Sequence, residues 1–172
     1  MIRAFKRFGG DRRGGAALEF ALLLPILVSL QLGSVELVRA FEAQRRIAHV
    51  AAAMADVISQ GATVTTAQLN DAMVAGDVLV APLPTAPLGL RISSITADAR
   101  GVASVDWSVN QNWTGGAAPS IPAGYLNPNE SAIVADVSYD WDSPLKYLLP
   151  NTIHFVRHAY DRPRLSAQVQ KI

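Results

Sequence analysis

The chain has 172 residues, a formal net charge of +1 and no cysteine, a length that allows one ordinary domain and little more. Charged residues make up 17% of it, where about 25% is usual, which excludes a disordered polyelectrolyte and a supercharged nucleic-acid binder. The missing cysteines exclude thiol nucleophiles, Cys-ligated zinc, iron–sulfur clusters and a disulfide scaffold. With glycine counted and tyrosine left out, about 55% of the residues are apolar where about 45–50% is usual, an excess that points to a segment in lipid.

The near-neutral total hides an asymmetry. Residues 1–14 carry Arg3, Lys6, Arg7, Arg12 and Arg13 against Asp11, a charge of +4, and the remaining 158 residues sum to −3. A basic stretch directly before an apolar run is the pattern of an export signal or signal anchor. Sixteen uncharged residues, Phe20 to Val35, follow between Glu19 and Glu36, and ten of them are Leu, Ile, Val or Phe. Extended over its small and apolar flanks, Ala16 to Leu37, the run gives roughly 33 Å of helix, enough for one membrane crossing. The basic leader predicts a cytoplasmic N-terminus, with everything after Leu37 exported. The run is long for the apolar region of a cleaved secretory signal, and no clean small-x-small site follows it.

Helical pattern continues from Ser34 to Gln60 without Gly or Pro after Gly33. Ile47, Val50, Met54, Val57 and Ile58 recur at three- and four-residue spacing, with Arg45, Arg46, His49 and Asp56 off that stripe. The pattern predicts one helix of about 45 residues that starts in the membrane and ends packed on an exported domain. Pro25 removes one backbone hydrogen bond and should bend the span.

Glu19 sits inside the start of this apolar helix, where a carboxylate is costly and calls for a partner or a purpose. It lies in the sequence Arg13-Gly14-Gly15-Ala16-Ala17-Leu18-Glu19-Phe20, in which a cut between Gly14 and Gly15 would make Glu19 the fifth residue and free an α-amino group at Gly15. Basic leader, Gly14, Glu19, Phe20 and Pro25 together resemble the processing site of the Flp (Tad) pilus pseudopilins. From Ala17 through Gly33, Glu36 and Arg39 to Met54 the chain is similar to the N-terminal segment of the TadE-like family. Ile133 to Tyr139 and Arg162-Pro163-Arg164 resemble that family more loosely. The segment does not separate TadE from TadF.

The resemblance implies a minor pseudopilin acting in Flp (Tad) pilus assembly, secretion and surface adhesion, and not an enzyme. Its partners would be a prepilin peptidase that removes residues 1–14, other Tad pilins and pseudopilins, and the inner-membrane assembly platform. It implies a single-pass protein of the bacterial inner membrane with a periplasmic C-terminal domain, able to enter the pilus. Glu19 would pair with the Gly15 amine of a neighbouring subunit and, with Pro25, set helix register. Against this stands Glu19 at headgroup level beside Arg12 and Arg13. The alternative to a processed pseudopilin is an uncleaved single-pass accessory or scaffold protein of a secretion system.

The boundaries predicted are a leader over 1–14, a membrane helix with its amphipathic extension over 15–60, and an exported α+β domain over 61–172. In that domain Thr66 to Ala75 reads as a short helix capped by Thr65 or Thr66, and Pro82, Pro84 and Pro87 mark a linker or edge. Leu88, Leu90 and Ile92 alternate with other residues, as do Val105, Trp107 and Val109, with a hairpin turn at Ala99-Arg100-Gly101. Ile133, Ala135, Val137, Tyr139 and Trp141 form one face of a further strand, and Asp136, Ser138, Asp140 and Asp142 its wet face. Thr152 to Tyr160 is a weaker fourth strand. The long helix is expected to lie on the apolar face of this small antiparallel sheet, a pilin-like layout. The Gly- and Pro-rich stretch 112–130 is a long loop, open to partner contact or to disorder.

Candidate chemistry is sparse. His154 and His158 share one face, but His-Phe-Val-Arg-His is no zinc motif, and the Asp136, Asp140 and Asp142 row lacks calcium-loop spacing. No metal or cofactor is expected. Arg and Lys do not cluster outside the leader, which leaves nucleic-acid binding without support.

Overall fold

Helix α1 spans Gly15–Ser59, 45 residues and about 67 Å, through Pro25 without interruption. It dominates the computed structural model, which describes residues 15–172. From Gly15 to Leu32 no residue is buried, whereas from Gly33 onward a stripe including Glu36, Ala43, Ile47, Val50, Met54 and Ile58 is. The change falls where the helix leaves its apolar run and meets the rest of the chain. Val57, expected on the stripe, is 59% exposed, because the packed face runs instead through Ala51, Ala55 and Ile58.

After the two-residue strand β1 (Thr63–Val64), helix α2 runs over Thr66–Leu79. Thr65 caps it: its Oγ1 accepts from the Gln68 backbone N–H at 3.1 Å, and the Gln68 side chain accepts from the Thr65 N–H at 2.8 Å. The helix is longer than its expected end at Ala75, because Gly76 lies buried inside it rather than beyond its C-terminus.

Four strands follow, β2 (Leu88–Ala97), β3 (Ala103–Gln111), β4 (Ser131–Trp141) and β5 (Ile153–Asp161), in the antiparallel order β3-β2-β4-β5. The β2–β3 turn holds Gly101 at φ +80°, where the sequence places it. A register shift at Ser94/Ile95 leaves Asp106 without a direct partner, and its carboxylate accepts from Ser94 and Thr96 at 3.0 and 2.7 Å. The inner face, with Leu88, Leu90, Ile92, Ile133, Ala135, Val137, Tyr139 and Trp141, joins the α1 stripe and Leu69 of α2 in one core. This is the expected α+β layer arrangement, a long helix on a small antiparallel sheet. Strand β6 (Gln170–Lys171) then pairs in parallel with β1.

The outer face of the sheet is not wet over the central strands β2 and most of β4, whereas β3 and β5 stay partly or fully open. Burial runs unbroken from Leu88 to Ile95 and from Ser131 to Tyr139, because the 112–130 segment crosses that face as an ordered cover. Tyr125 Oη donates to the Tyr160 carbonyl at 3.2 Å, and Thr114 and Ser138 hydroxyls meet at 3.2 Å. A Cβ on Gly89 would sit 2.6 Å from the Asn112 carbonyl oxygen, so only glycine lets the chain pass this close over β2.

Candidate membrane and assembly site

The expected processing residues lie at the free end of α1. Gly14 is outside the described residues. Gly15 and Glu19 are exposed, as is Phe20 at 59%, and among the described residues Glu19 makes no side-chain hydrogen bond or ion pair. Pro25 is also exposed. Around them Leu18, Leu22, Leu23, Ile26, Leu27 and Leu30 present large apolar surfaces that the domain does not cover. Among the described residues, α1 is the one helix long and apolar enough to cross a membrane.

At the other end of the apolar run stands Glu36, which the sequence marks as a charge boundary and as part of the TadE-like stretch, with no role of its own. Its side chain is fully buried. Oε1 accepts from Ser143 Oγ at 2.5 Å and from the Tyr147 N–H at 2.8 Å, and Oε2 from the N–H groups of Leu148 at 2.5 Å and Leu149 at 3.0 Å. All four partners are donors, so the pocket is shaped for a group that accepts on both oxygens, as a carboxylate does. The donors belong to the β4–β5 loop, Asp142 to Thr152. That loop also reaches down α1: Tyr147 Oη and Ser29 Oγ are 2.7 Å apart, and a Cβ on Gly33 would be 3.4 Å from Leu148.

A second polar cluster lies under the 112–130 cover, where the sequence reads a solvated acidic row. Asp136 is 1% exposed and Arg91 6%. Arg91 Nε and Nη2 contact Asp136 Oδ2 at 2.7 and 2.5 Å, Arg91 Nη1 donates to the Ala117 carbonyl at 2.5 Å, and the guanidinium stacks 4.3 Å from the Trp113 ring. Periodicity puts Asp136 on the polar face correctly, but not the loop that shuts it in. Asp140 and Asp142 remain partly or fully open to solvent. His158 Nδ1 lies 2.7 Å from Asp136 Oδ1, and His154 Nδ1 2.5 Å from Asp140 Oδ1. The two histidines thus share a face but contact separate carboxylates. Among the described residues no group of three or more His, Asp or Glu is placed to hold a metal ion.

Arg162 and Arg164, singled out in the sequence, act as struts. Arg162 bridges Glu130 at 3.0 Å and donates to the Tyr125 carbonyl at 3.0 Å, while Arg164 pairs with Asp56 of α1.

Compared with known proteins, the chain matches no curated protein and no solved structure. The family described as TadE-like protein matches residues 14–56, about a quarter of the chain and nearly all of α1. Over that length, from the free apolar half to the packed stripe, the chain is similar to TadE-like proteins.

Proposed function

We propose that this protein is a minor pseudopilin of the Tad pilus, held in the bacterial inner membrane by α1 with its N-terminus cytoplasmic and the domain from residue 61 in the periplasm. The observation that carries the reading is that the bare apolar half of α1 lies inside the family match. The TadE-like match covers 14–56, and within it lies the helix half that is apolar and left bare by its own domain. A pilin-like subunit needs such a half, first to span lipid and then to pack against other subunits.

On this reading a prepilin peptidase cuts between Gly14 and Gly15, with Glu19 and Phe20 completing the site. The new Gly15 amine and the Glu19 carboxylate of a neighbouring subunit then neutralise each other in the membrane, a contact worth making because either charge alone is costly there. Mass spectrometry of the protein from its native host should find Gly15 as the first residue, and copurification with sheared pili should follow. An intact Met1 refutes the processing and favours an uncleaved accessory protein of the secretion machine.

A further inference from the structure

The β4–β5 loop has an unusual property in the segment Ser143-Pro144-Leu145-Lys146-Tyr147-Leu148-Leu149-Pro150. Its backbone offers no free N–H group from Pro144 to Pro150. The two prolines have none, Leu145 and Lys146 donate to Ser143 Oγ at 3.3 and 3.2 Å, and Tyr147, Leu148 and Leu149 donate to Glu36. Meanwhile the side chains point outward: Leu145 is 47% exposed, Tyr147 53% and Leu148 51%. In water neither feature is needed, since solvent satisfies loop amides and apolar side chains turn in. At a membrane surface both are useful: N–H groups already bonded within the protein lose nothing when water is withdrawn, while the carbonyl oxygens of 144–150, which accept no hydrogen bond from the described residues, are left to the headgroup region.

The loop is also in the right place. Tyr147 reaches Ser29, eight residues before Leu37 and so about 12 Å back along the helix axis, within a half-bilayer of roughly 15 Å. There the hydroxyl finds a partner on α1 where water would be scarce, and the bare apolar surface of α1 at Leu27 and Leu30 is continuous in sequence with its own position. Lys146 is exposed, with a stem long enough to carry its ammonium to the headgroups.

We propose that residues 144–149 are a second lipid-contacting element at the exported-side membrane boundary beside α1, their apolar side chains dipping into the leaflet, with Glu36 and Ser143 as the internal acceptors of the backbone N–H groups. This rests on reading α1 as a membrane span, and the test separates the two. Because the chain has no cysteine, single substitutions label one site each. Val28→Cys in the span, Leu145→Cys and Leu148→Cys in the loop, and Val102→Cys in the distal hairpin are coupled to an environment-sensitive fluorophore. Each full-length protein is reconstituted into phosphatidylcholine–phosphatidylglycerol vesicles containing spin-labelled acyl chains. The expected result is quenching at 28, 145 and 148 and none at 102. Quenching at 28 without quenching at 145 and 148 overturns the loop proposal and leaves the span standing. A blue shift at 145 and 148 without quenching means that protein covers the loop instead, and also overturns it. No quenching at 28 removes the span and the proposal together.

Discussion

Glu36 and Ser143 are 107 residues apart in the chain and 2.5 Å apart in space, Oε1 to Oγ. Through this contact and three backbone amides, the first and last thirds of the protein are joined at the point where α1 stops being bare and starts being packed. A carboxylate fixed this way fixes the loop too, and the loop's amides report on it.

Glu36→Ala should therefore loosen the loop locally. Amide hydrogen exchange at Tyr147, Leu148 and Leu149 is expected to speed up by on the order of tenfold or more, with the β2–β4 ladder unchanged. Equal protection in wild type and variant would mean that Glu36 does not hold these amides.

Asp136→Ala leaves Arg91 buried without its counter-charge. Removing one partner of a buried pair costs about 3–5 kcal/mol, a fall in Tm of roughly 6–20 °C for a domain of this size. Thermal unfolding of the full chain in detergent measures it. The double variant Arg91→Leu with Asp136→Leu should recover much of the loss, because it leaves no buried charge behind.

Glu19→Ala is expected to leave membrane insertion intact and to lower the amount of protein recovered in sheared pili, since the partner proposed for the Gly15 amine is gone. Normal processing together with normal incorporation would end the role proposed for Glu19.

Glu130 closes the 112–130 cover, and its carboxyl is held below the ordinary carboxylate range, first by the Asn127 side chain, then by the Asn127 N–H and by Arg162. A lowered value means that the folded state favours the charged form. The resulting stabilisation is complete above the ordinary value near 4.5 and disappears as pH falls through the lowered one. The difference in Tm between wild type and Glu130→Gln should accordingly shrink below that pH, and a constant difference would contradict the assignment.

Thr65→Ala removes half of the capping box and should cost about 1 kcal/mol in chemical denaturation. Thr65→Ser should restore it.

Much of the architecture is legible because it is periodic. The helix from the span to Ser59, the faces of β2 and β4 and the turn at Gly101 each follow from spacing alone. Asp136 shows where that stops: alternation assigns its face but carries no information about a loop arriving from residues 112–130 to seal it. Glu36 is invisible for the same reason, its donors lying 107 to 113 residues away. A signal for it does exist, in a carboxylate at the end of an apolar run and a proline-bracketed Leu-Lys-Tyr-Leu-Leu stretch with no strand alternation. Strands β1 and β6 are two residues each, too short for any period.

The pairing of those two short strands bears on the order of events during folding. Val169 is fully buried, its carbonyl accepts from Trp107 Nε1 at 2.9 Å, and Gln170 and Ile172 donate to Ala62 and Val64 at 3.1 and 2.9 Å. The segment after α1 therefore waits for residues more than a hundred positions later before its own backbone is satisfied. During synthesis α1 is made first, with Ile47, Val50 and Met54 uncovered until β4 follows. Folding is thus a late closure that waits for the C-terminal residues.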